Sequence, residues 1–367
     1  MKNPLKKIVN RYKKNIFVAD SEKGFLNKLQ HPQITEKVKN EDLYIRKWSG
    51  LGLDVNPVYY RVYCNHSPGN DINLVPLDIY FMVILKRLNN YNVSQLYADK
   101  NLYEKRMRSN LFPKTFLRNI NGTFYSAGYD LFKPDPFFFK RLSTEAKQLI
   151  VKPSIHSGGG VNLKKFEWNG DSYVDENSKS LNTDYLEEHY QKDYLVQEVI
   201  AQHPYMQRLN PSSVNTMRVL TYRSVKNEMI KILGTYLRVG THNSLVDNIS
   251  TGGYLIHYNQ KGEHDMYAVL NMDGTTDTIN GVCISDMGIY PEYDKVISCA
   301  KKIASLFPYQ RMLGLDMVVD QKNQVKLIEV NTYKIGPFAF SGYPVFGEYT
   351  DEIIHYCREK AGKKGEW

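Results

Sequence analysis

Long apolar runs are what this sequence most plainly lacks. No stretch reaches the roughly 18 apolar residues that a membrane-spanning helix requires, so there is no candidate transmembrane segment. Cysteine is scarce too. Cys64, Cys283, Cys299 and Cys357 stand far apart and form no C-x-x-C pair; the expectation is reduced thiols in a cytosolic protein. Paired Cys/His spacing, an aromatic RNP-type strand and a dense arginine tract are all missing, which removes the usual signatures of nucleic-acid binding. There is no G-x-G-x-x-G, no internal repeat, and no glycine run closed by Lys-Ser or Lys-Thr, so neither a dinucleotide fold nor a P-loop is signalled. The opening MKNPLKKIVNRYKKNIF is basic but has neither the long apolar core nor the small-residue cleavage site of a signal peptide.

What is present is material for a sizeable core. Hydrophobic residues make up 42% and aromatic residues 13% of 367 positions, which suits one large or two to three smaller domains and excludes global disorder. A formal net charge of +9 fits nucleic acid, an anionic membrane surface or an anionic small substrate. The lysines and arginines are spread along the chain, which favours the small anion or plain solubility. The first 17 residues are the exception. Leu5, Ile8, Val9 and Tyr12 fall at helical spacing among Lys2, Lys6, Lys7, Arg11, Lys13 and Lys14. They read either as a helix in peripheral contact with anionic lipid or as a solvated helix packed on its own protein.

Residues 1–92 mix helical and irregular pattern, with VYYRVY (58–63) reading as a short strand and 77–90 as a buried helix. From about 95 a regular α+β alternation begins. Asp99 is a candidate N-cap for the helical 99–111. Asn121-Gly122 marks a hairpin. STEAKQLIVKP (143–153) runs from helix into strand, and 193–200, 215–224, 229–240 and 252–262 read as strands. An amphipathic helix starts near Pro291, a strand–turn–strand spans 313–331, and a helix closes the chain.

Four stretches carry chemistry. In VKLIEVNTY, Glu329 and Asn331 are two apart and share a strand face. A turn at Asp320–Gln324 brings Asp316 of the preceding strand close to both. Two carboxylates and an amide oxygen are hard donors that suit Mg²⁺ carrying nucleotide phosphates. In QLIVKPSIHSGGGVNL, a strand delivers Lys152 ahead of Ser157, Gly158, Gly159 and Gly160, whose backbone N–H groups can turn toward a phosphate. In LRVGTHNSLVDNISTGG, Arg238, Asp247, Asn248, Gly252 and Gly253 surround a loop between strands, suited to a phosphoryl group. In NPSSVNTMRVLTYR, Asn215 and Arg218 open a strand.

Taken together these stretches resemble the ATP-grasp superfamily, most closely the sugar-transfer-associated ATP-grasp family of bacterial surface-polysaccharide contexts, over roughly 95–340. The resemblance implies an α+β fold of two lobes clamping ATP: an N-terminal mixed domain over 1–92, a first lobe over 93–200 and a second over 201–367. No Rossmann-like domain is evident in 1–92. It implies that Lys152, with Lys100 or Lys105, contacts phosphates, and that Gln197, Glu198 and Ile200 meet adenine. Asp316, Glu329 and Asn331 would hold Mg²⁺, while Arg238 and Asn248 would face the transferred phosphoryl group. Asn215 and Arg218 would contact phosphate or a substrate carboxylate. His203 or Gln202 would stand in for a ribose-binding acid that is not evident. The implied activity is a ligase that activates a carboxylate as an acyl phosphate and joins it to an amine or other nucleophile. The acid would be a sugar acid or an amino acid, joined to a glycan precursor. A phosphotransferase acting on a hydroxyl and a non-catalytic nucleotide- or glycan-binding module are the alternatives.

Overall fold

The computed structural model describes residues 36–66, 70–107, 109–155, 160–270 and 274–361. The basic amphipathic segment and Ser157, Gly158 and Gly159 lie outside the described residues. Among the described residues no helix is long and apolar enough to cross a membrane.

Two antiparallel sheets organise the chain. The first runs β2-β1-β6-β3-β4-β5, with β1 Thr115–Ile120, β2 Thr123–Ser126, β3 Gln148–Pro153, β4 Lys164–Trp168, β5 Tyr173–Val174 and β6 Tyr194–Glu198. The β1–β2 turn follows its sequence signal: Asn121 and Gly122 both have positive φ, 51° and 84°, as a tight two-residue hairpin demands. The second sheet runs β11-β10-β9-β8-β7-β14-β15. Its strands are β7 Met217–Arg223, β8 Ile230–Val239, β9 Tyr254–Tyr258, β10 Ala268–Leu270, β11 Gly274–Thr276, β14 Met312–Val319 and β15 Val325–Asn331; β12 Thr278–Ile279 and β13 Val282–Cys283 form a separate small hairpin.

Strand alternation sorts the second sheet into two faces. Met217, Val219, Leu237, Leu315 and Met317 pack with the Tyr293–Ser305 helix through Val296, Ala300 and Ile303. Leu220, Tyr222, Tyr236 and Met312 face the other way. They are covered by N-terminal helical residues such as Trp48, Tyr60, Tyr63 and Tyr80 and by Ile353 of the closing helix Thr350–Ala361. Arg218, Arg238 and Asp316 continue this second face beyond its apolar cover. The sheet therefore turns the same face that is sealed at one end into a charged wall at the other.

Two local readings are corrected. VYYRVY is not a strand but part of the helix Val58–His66. Asn56 accepts a bond from Val58 N at 3.0 Å and Pro57 opens the first turn, start signals that override the β-propensity of valine and tyrosine. The helix foreseen just before β3 is Phe138–Leu142; residues 143–147 are turn and irregular backbone. The segment 77–88 is helical as expected, with a π turn at Tyr80–Ile84. Asn89 at its end docks it onto the second sheet, donating to Met312 O and Thr332 O at 2.7 and 2.8 Å. Asp99 caps as expected, accepting from Asn101 N at 2.9 Å.

Candidate active site

A cavity of about 570 Å³ lies between the sheets, bounded by β3 and β6 on one side and β7, β8, β14 and β15 on the other. The hairpin of β14 and β15 is built by its turn. Asp320 accepts bonds from Lys322 N and Gln324 N at 2.8 and 2.9 Å. The turn sets a register in which Asp316 lies opposite Glu329 and Gly314 opposite Asn331. The three oxygen-bearing side chains thus converge as their spacing foretold.

Their partners were less visible in the sequence. Asp316 is 4% exposed and is gripped through both oxygens by Nε and Nη2 of Arg218, the neighbour on β7. Arg238 Nη1 donates to it at 3.1 Å and Asn331 Nδ2 approaches at 3.3 Å. Arg238 also pairs with Asp247 at 2.9 Å. Asp247 in turn accepts from Thr216 N at 2.9 Å and from the Thr216 hydroxyl. Arg218 can lie flat because Gly314 has no side chain: a Cβ there would meet Arg218 Cδ at 3.3 Å.

These contacts set the charges. Burial disfavours an ionised Asp316, but Arg218 and Arg238 outweigh it and hold the carboxyl below its usual range. For Asp247 burial prevails over Arg238, and its pKa is raised. Arg238 is raised despite its burial because Asp247, Asp316 and Glu329 surround it. On the opposite wall burial, and then the nearby Lys100, lower Lys152 to about 7, with Glu329 opposing.

The two early lysines part company. Lys100 lines the cavity and its Nζ lies 2.6 Å from Glu329 Oε1. Lys105 is turned over the Tyr129 ring, 4.5 Å from its centroid, and does not line the cavity. Gln197, Glu198 and Ile200 do line it, beside Ile150, Leu163 and Ile328, which form an apolar slot. Gln197 Nε2 donates to Thr115 at 2.9 Å while its buried Oε1 has no partner. Glu198 Oε1 accepts from Lys114 N at 2.8 Å.

Asn248 and Gly160 line the cavity, whereas Gly252 and Gly253 shape the loop behind it. Gly160 has φ +75°, and a Cβ would fall 2.3 Å from Val246 Cγ1, so the end of the glycine run presses directly on the 240–253 loop. Asn215 is a correction. It is fully buried and does not line the cavity; its Nδ2 donates to Met206 O and Asn210 O at 3.0 and 2.8 Å, and it accepts from Gly240 N. It latches the 202–210 segment to β8. Gln202 is buried in the same network, and His203 caps the Pro204–Gln207 turn, accepting from Tyr205 N at 3.1 Å. Neither faces the cavity, so neither stands in for a ribose-binding acid. Thr216, Tyr333, Lys334 and Phe338 are cavity residues that sequence reasoning passed over; the signal available was position, Thr216 two residues before Arg218 and the other three within seven residues after Asn331.

The donor set suits a magnesium–nucleotide complex at Glu329, Asn331 and Asp316: all are oxygen ligands on facing strands, and phosphate oxygens can complete the shell. Among the described residues no group of three or more His, Cys, Asp or Glu side chains could hold a metal without such help.

No curated protein matches the chain. Among solved structures it is similar to the ATP-grasp ligase PsnB complexed with a phosphomimetic variant of its minimal precursor, Mg and ADP, at 14% identity and a TM-score of 0.40, over 74% of this chain and 61% of that one. It is also similar to D-alanyl-alanine synthetase A from Vibrio cholerae, at 12% identity and a TM-score of 0.38, over 72% and 65% of the two chains. A third similar structure is the L-amino acid ligase from Bacillus licheniformis, at 15% identity and a TM-score of 0.37, over 73% and 48%. The chain thus spans less than two thirds of each of these proteins. A family model described as sugar-transfer associated ATP-grasp matches residues 83–338, more than two thirds of the sequence. With its two antiparallel sheets enclosing a lysine- and arginine-lined cavity, the chain belongs to the sugar-transfer associated ATP-grasp family and has that family's α+β fold.

Proposed function

We propose that the protein is an ATP- and Mg²⁺-dependent ligase that converts a carboxylate to an acyl phosphate and joins it to an amine or other nucleophile, acting on a sugar or glycan precursor. The observation that carries this reading is the single cavity wall on which Arg218 and Arg238 lie beside Asp316, Glu329 and Asn331, opposite Lys152 and the apolar slot at Gln197–Ile200. Lys100, Lys152 and Arg238 would bind and orient phosphates, and the slot would take the base. Asp316, Glu329 and Asn331 would hold Mg²⁺, which neutralises phosphate charge when bound.

Ligase chemistry is preferred to phosphoryl transfer onto a hydroxyl for a specific reason. The two most buried cavity aspartates are the least free to take a proton from an alcohol: Asp316 is held through both oxygens by Arg218, and Asp247 by Arg238 and Thr216. A carboxylate needs no such base, because it is ionised at neutral pH. Positioning and fixed charge then supply the catalysis. The test is hydroxylamine trapping with Mg-ATP and a panel of uronic and amino acids. A hydroxamate formed together with ADP supports the ligase; ADP release that depends on a hydroxyl compound, without hydroxamate, overturns it.

A further inference from the structure

Part of the cavity lining is built by the segment that follows Asn331, with Leu96 and Ala98 at the end of the helix Tyr91–Ala98. Three observations single it out. First, the charges lining the cavity are unequally engaged. Lys100 is paired with Glu329, Arg218 with Asp316, and Arg238 with Asp247 and Asp316. Lys334, exposed where it lines the cavity, has no carboxylate partner among the described residues; its Nζ lies 5.9 Å from the centroid of the Tyr333 ring. Second, the segment is held in an uncommon backbone. Lys334 and Phe338, neither of them glycine, both lie in the left-handed region, at φ 52° and 49°. Such conformations are disfavoured and gather at ligand sites, where surrounding structure enforces them. Third, the segment is aromatic. Tyr333 meets Tyr91 edge to face at 6.1 Å, and the Phe338 ring lies beneath the Arg218 guanidinium, 5.9 Å away.

Lys152 stands by the nucleotide slot and supplies charge for phosphate. Lys334 is a second lysine lining the same cavity without a carboxylate partner, and it offers a place for a second anion. We propose that Lys334 and Tyr333 form the specificity-determining subsite for the acid that is activated, and that this acid is a carboxylate-bearing sugar ring. Lys334 binds its anionic group and Tyr333 offers an aromatic face to the ring. The Arg218 guanidinium, held by Asp316 through Nε and Nη2, lies over the Phe338 ring of the same segment. The proposal rests on the ligase reading for the role of the acid but not for its binding.

The test is therefore a binding measurement without turnover. Full-length protein is saturated with a non-hydrolysable ATP analogue and Mg²⁺, and glucuronate and galacturonate are compared with glucose and galactose by saturation-transfer NMR and calorimetry. The uronates are expected to bind at least about tenfold more tightly than the neutral sugars. Lys334→Met should remove most of that difference, a loss of roughly ten- to a hundred-fold, while the analogue's affinity stays within about twofold. Lys334→Gly serves as the second variant, because glycine accepts the left-handed backbone without strain; it should be at least as stable as the native protein and equally poor with uronates. Lys334→Arg should restore binding. Equal affinity for charged and neutral sugars, or unchanged uronate affinity in both Lys334→Met and Lys334→Gly, overturns the subsite. Hydroxamate formation that persists in those variants with unaltered acid preference sinks this subsite alone; uronate binding that depends on Lys334, without any hydroxamate, sinks the ligase reading alone.

Discussion

Lys100 Nζ lies 2.6 Å from Glu329 Oε1 and joins the two walls of the cavity. The backbone of Lys100 hangs from the first sheet, donating to Ser154 O at 3.0 Å, whereas Glu329 belongs to β15 of the second. A lysine that neutralises Glu329 competes with a metal for the same carboxylate. Free divalent metal should therefore bind the nucleotide-free protein weakly, and phosphate should help by drawing Lys100 away. Lys100→Met is expected to strengthen Mn²⁺ binding without nucleotide, by roughly tenfold, and to weaken ATP binding. Mn²⁺ titration followed by electron paramagnetic resonance reads the first effect directly. Unchanged Mn²⁺ affinity would show that the ion pair does not guard the metal ligands.

Asp316 and Glu329 should differ in what they do for the fold, although both would hold metal. Asp316 is buried and answers two arginines, so Asp316→Asn leaves both short of a countercharge; breaking a buried pair in this way costs about 3–5 kcal/mol. Glu329, more exposed and facing one lysine, should tolerate Glu329→Gln with a much smaller change in stability and a near-total loss of ADP release. Because the folded pKa of Asp316 is depressed, the stabilisation it brings is present above the ordinary aspartate pKa and lost as pH falls through the folded value. Denaturant titrations at neutral and acid pH test both statements: equal destabilisation by the two substitutions, or an Asp316→Asn variant that keeps the native protein's acid sensitivity, contradicts them.

Lys152 gives a pH dependence of the same sign in a higher pH range. Burial and Lys100 lower its pKa to about 7, from an ordinary lysine value near 10.5. Between those limits the unfolded chain holds a proton that the folded chain lacks, so the nucleotide-free protein should gain stability as pH rises from about 7 to 10. A bound polyphosphate favours the charged lysine, so ATP should bind with proton uptake, and its affinity should fall above about pH 7. Calorimetry in buffers of different ionisation enthalpy measures that uptake. Lys152→Ala should abolish it and weaken ATP binding roughly ten- to a hundred-fold; uptake that persists in the variant would assign the proton elsewhere.

The part of this site that was legible in the sequence is the part written on regular elements. Asp316, Glu329 and Asn331 could be paired because strand period and a short turn fix register. Lys152 was found because its strand enters a glycine run. The engagements were not legible, since they depend on which strands become neighbours: β7 lies between β8 and β14, and that order alone brings Arg218 and Arg238 to Asp316. Asn215 shows the converse failure. A polar residue just before a strand read as a ligand contact, yet its bonds close a buried loop. Asn215→Ala should accordingly lower the melting temperature while leaving ATP affinity within about twofold once the protein is folded, a result that scanning calorimetry and titration distinguish from a binding role.

Arg238 is the residue whose removal should separate binding from chemistry. It is held between Asp247 and Asp316, at 2.9 and 3.1 Å, in a pocket that burial makes poorly screened. Asp247 is itself fixed by Thr216, so the guanidinium cannot swing far to meet ground-state ATP. A cation fixed in this way gains most when phosphoryl charge spreads over oxygens that it can fork, which happens in transfer. Arg238→Ala should therefore lower kcat on the order of 10²-fold or more, by comparison with loss of an oxyanion donor, and change the Kd for ATP much less. The same substitution strips one partner from each aspartate, so its stability must be measured alongside; Asp247→Asn, which loosens Arg238 without removing it, should give an intermediate loss in kcat. If ATP affinity and rate fall in equal proportion, Arg238 is a uniform binder and its role in transfer is wrong.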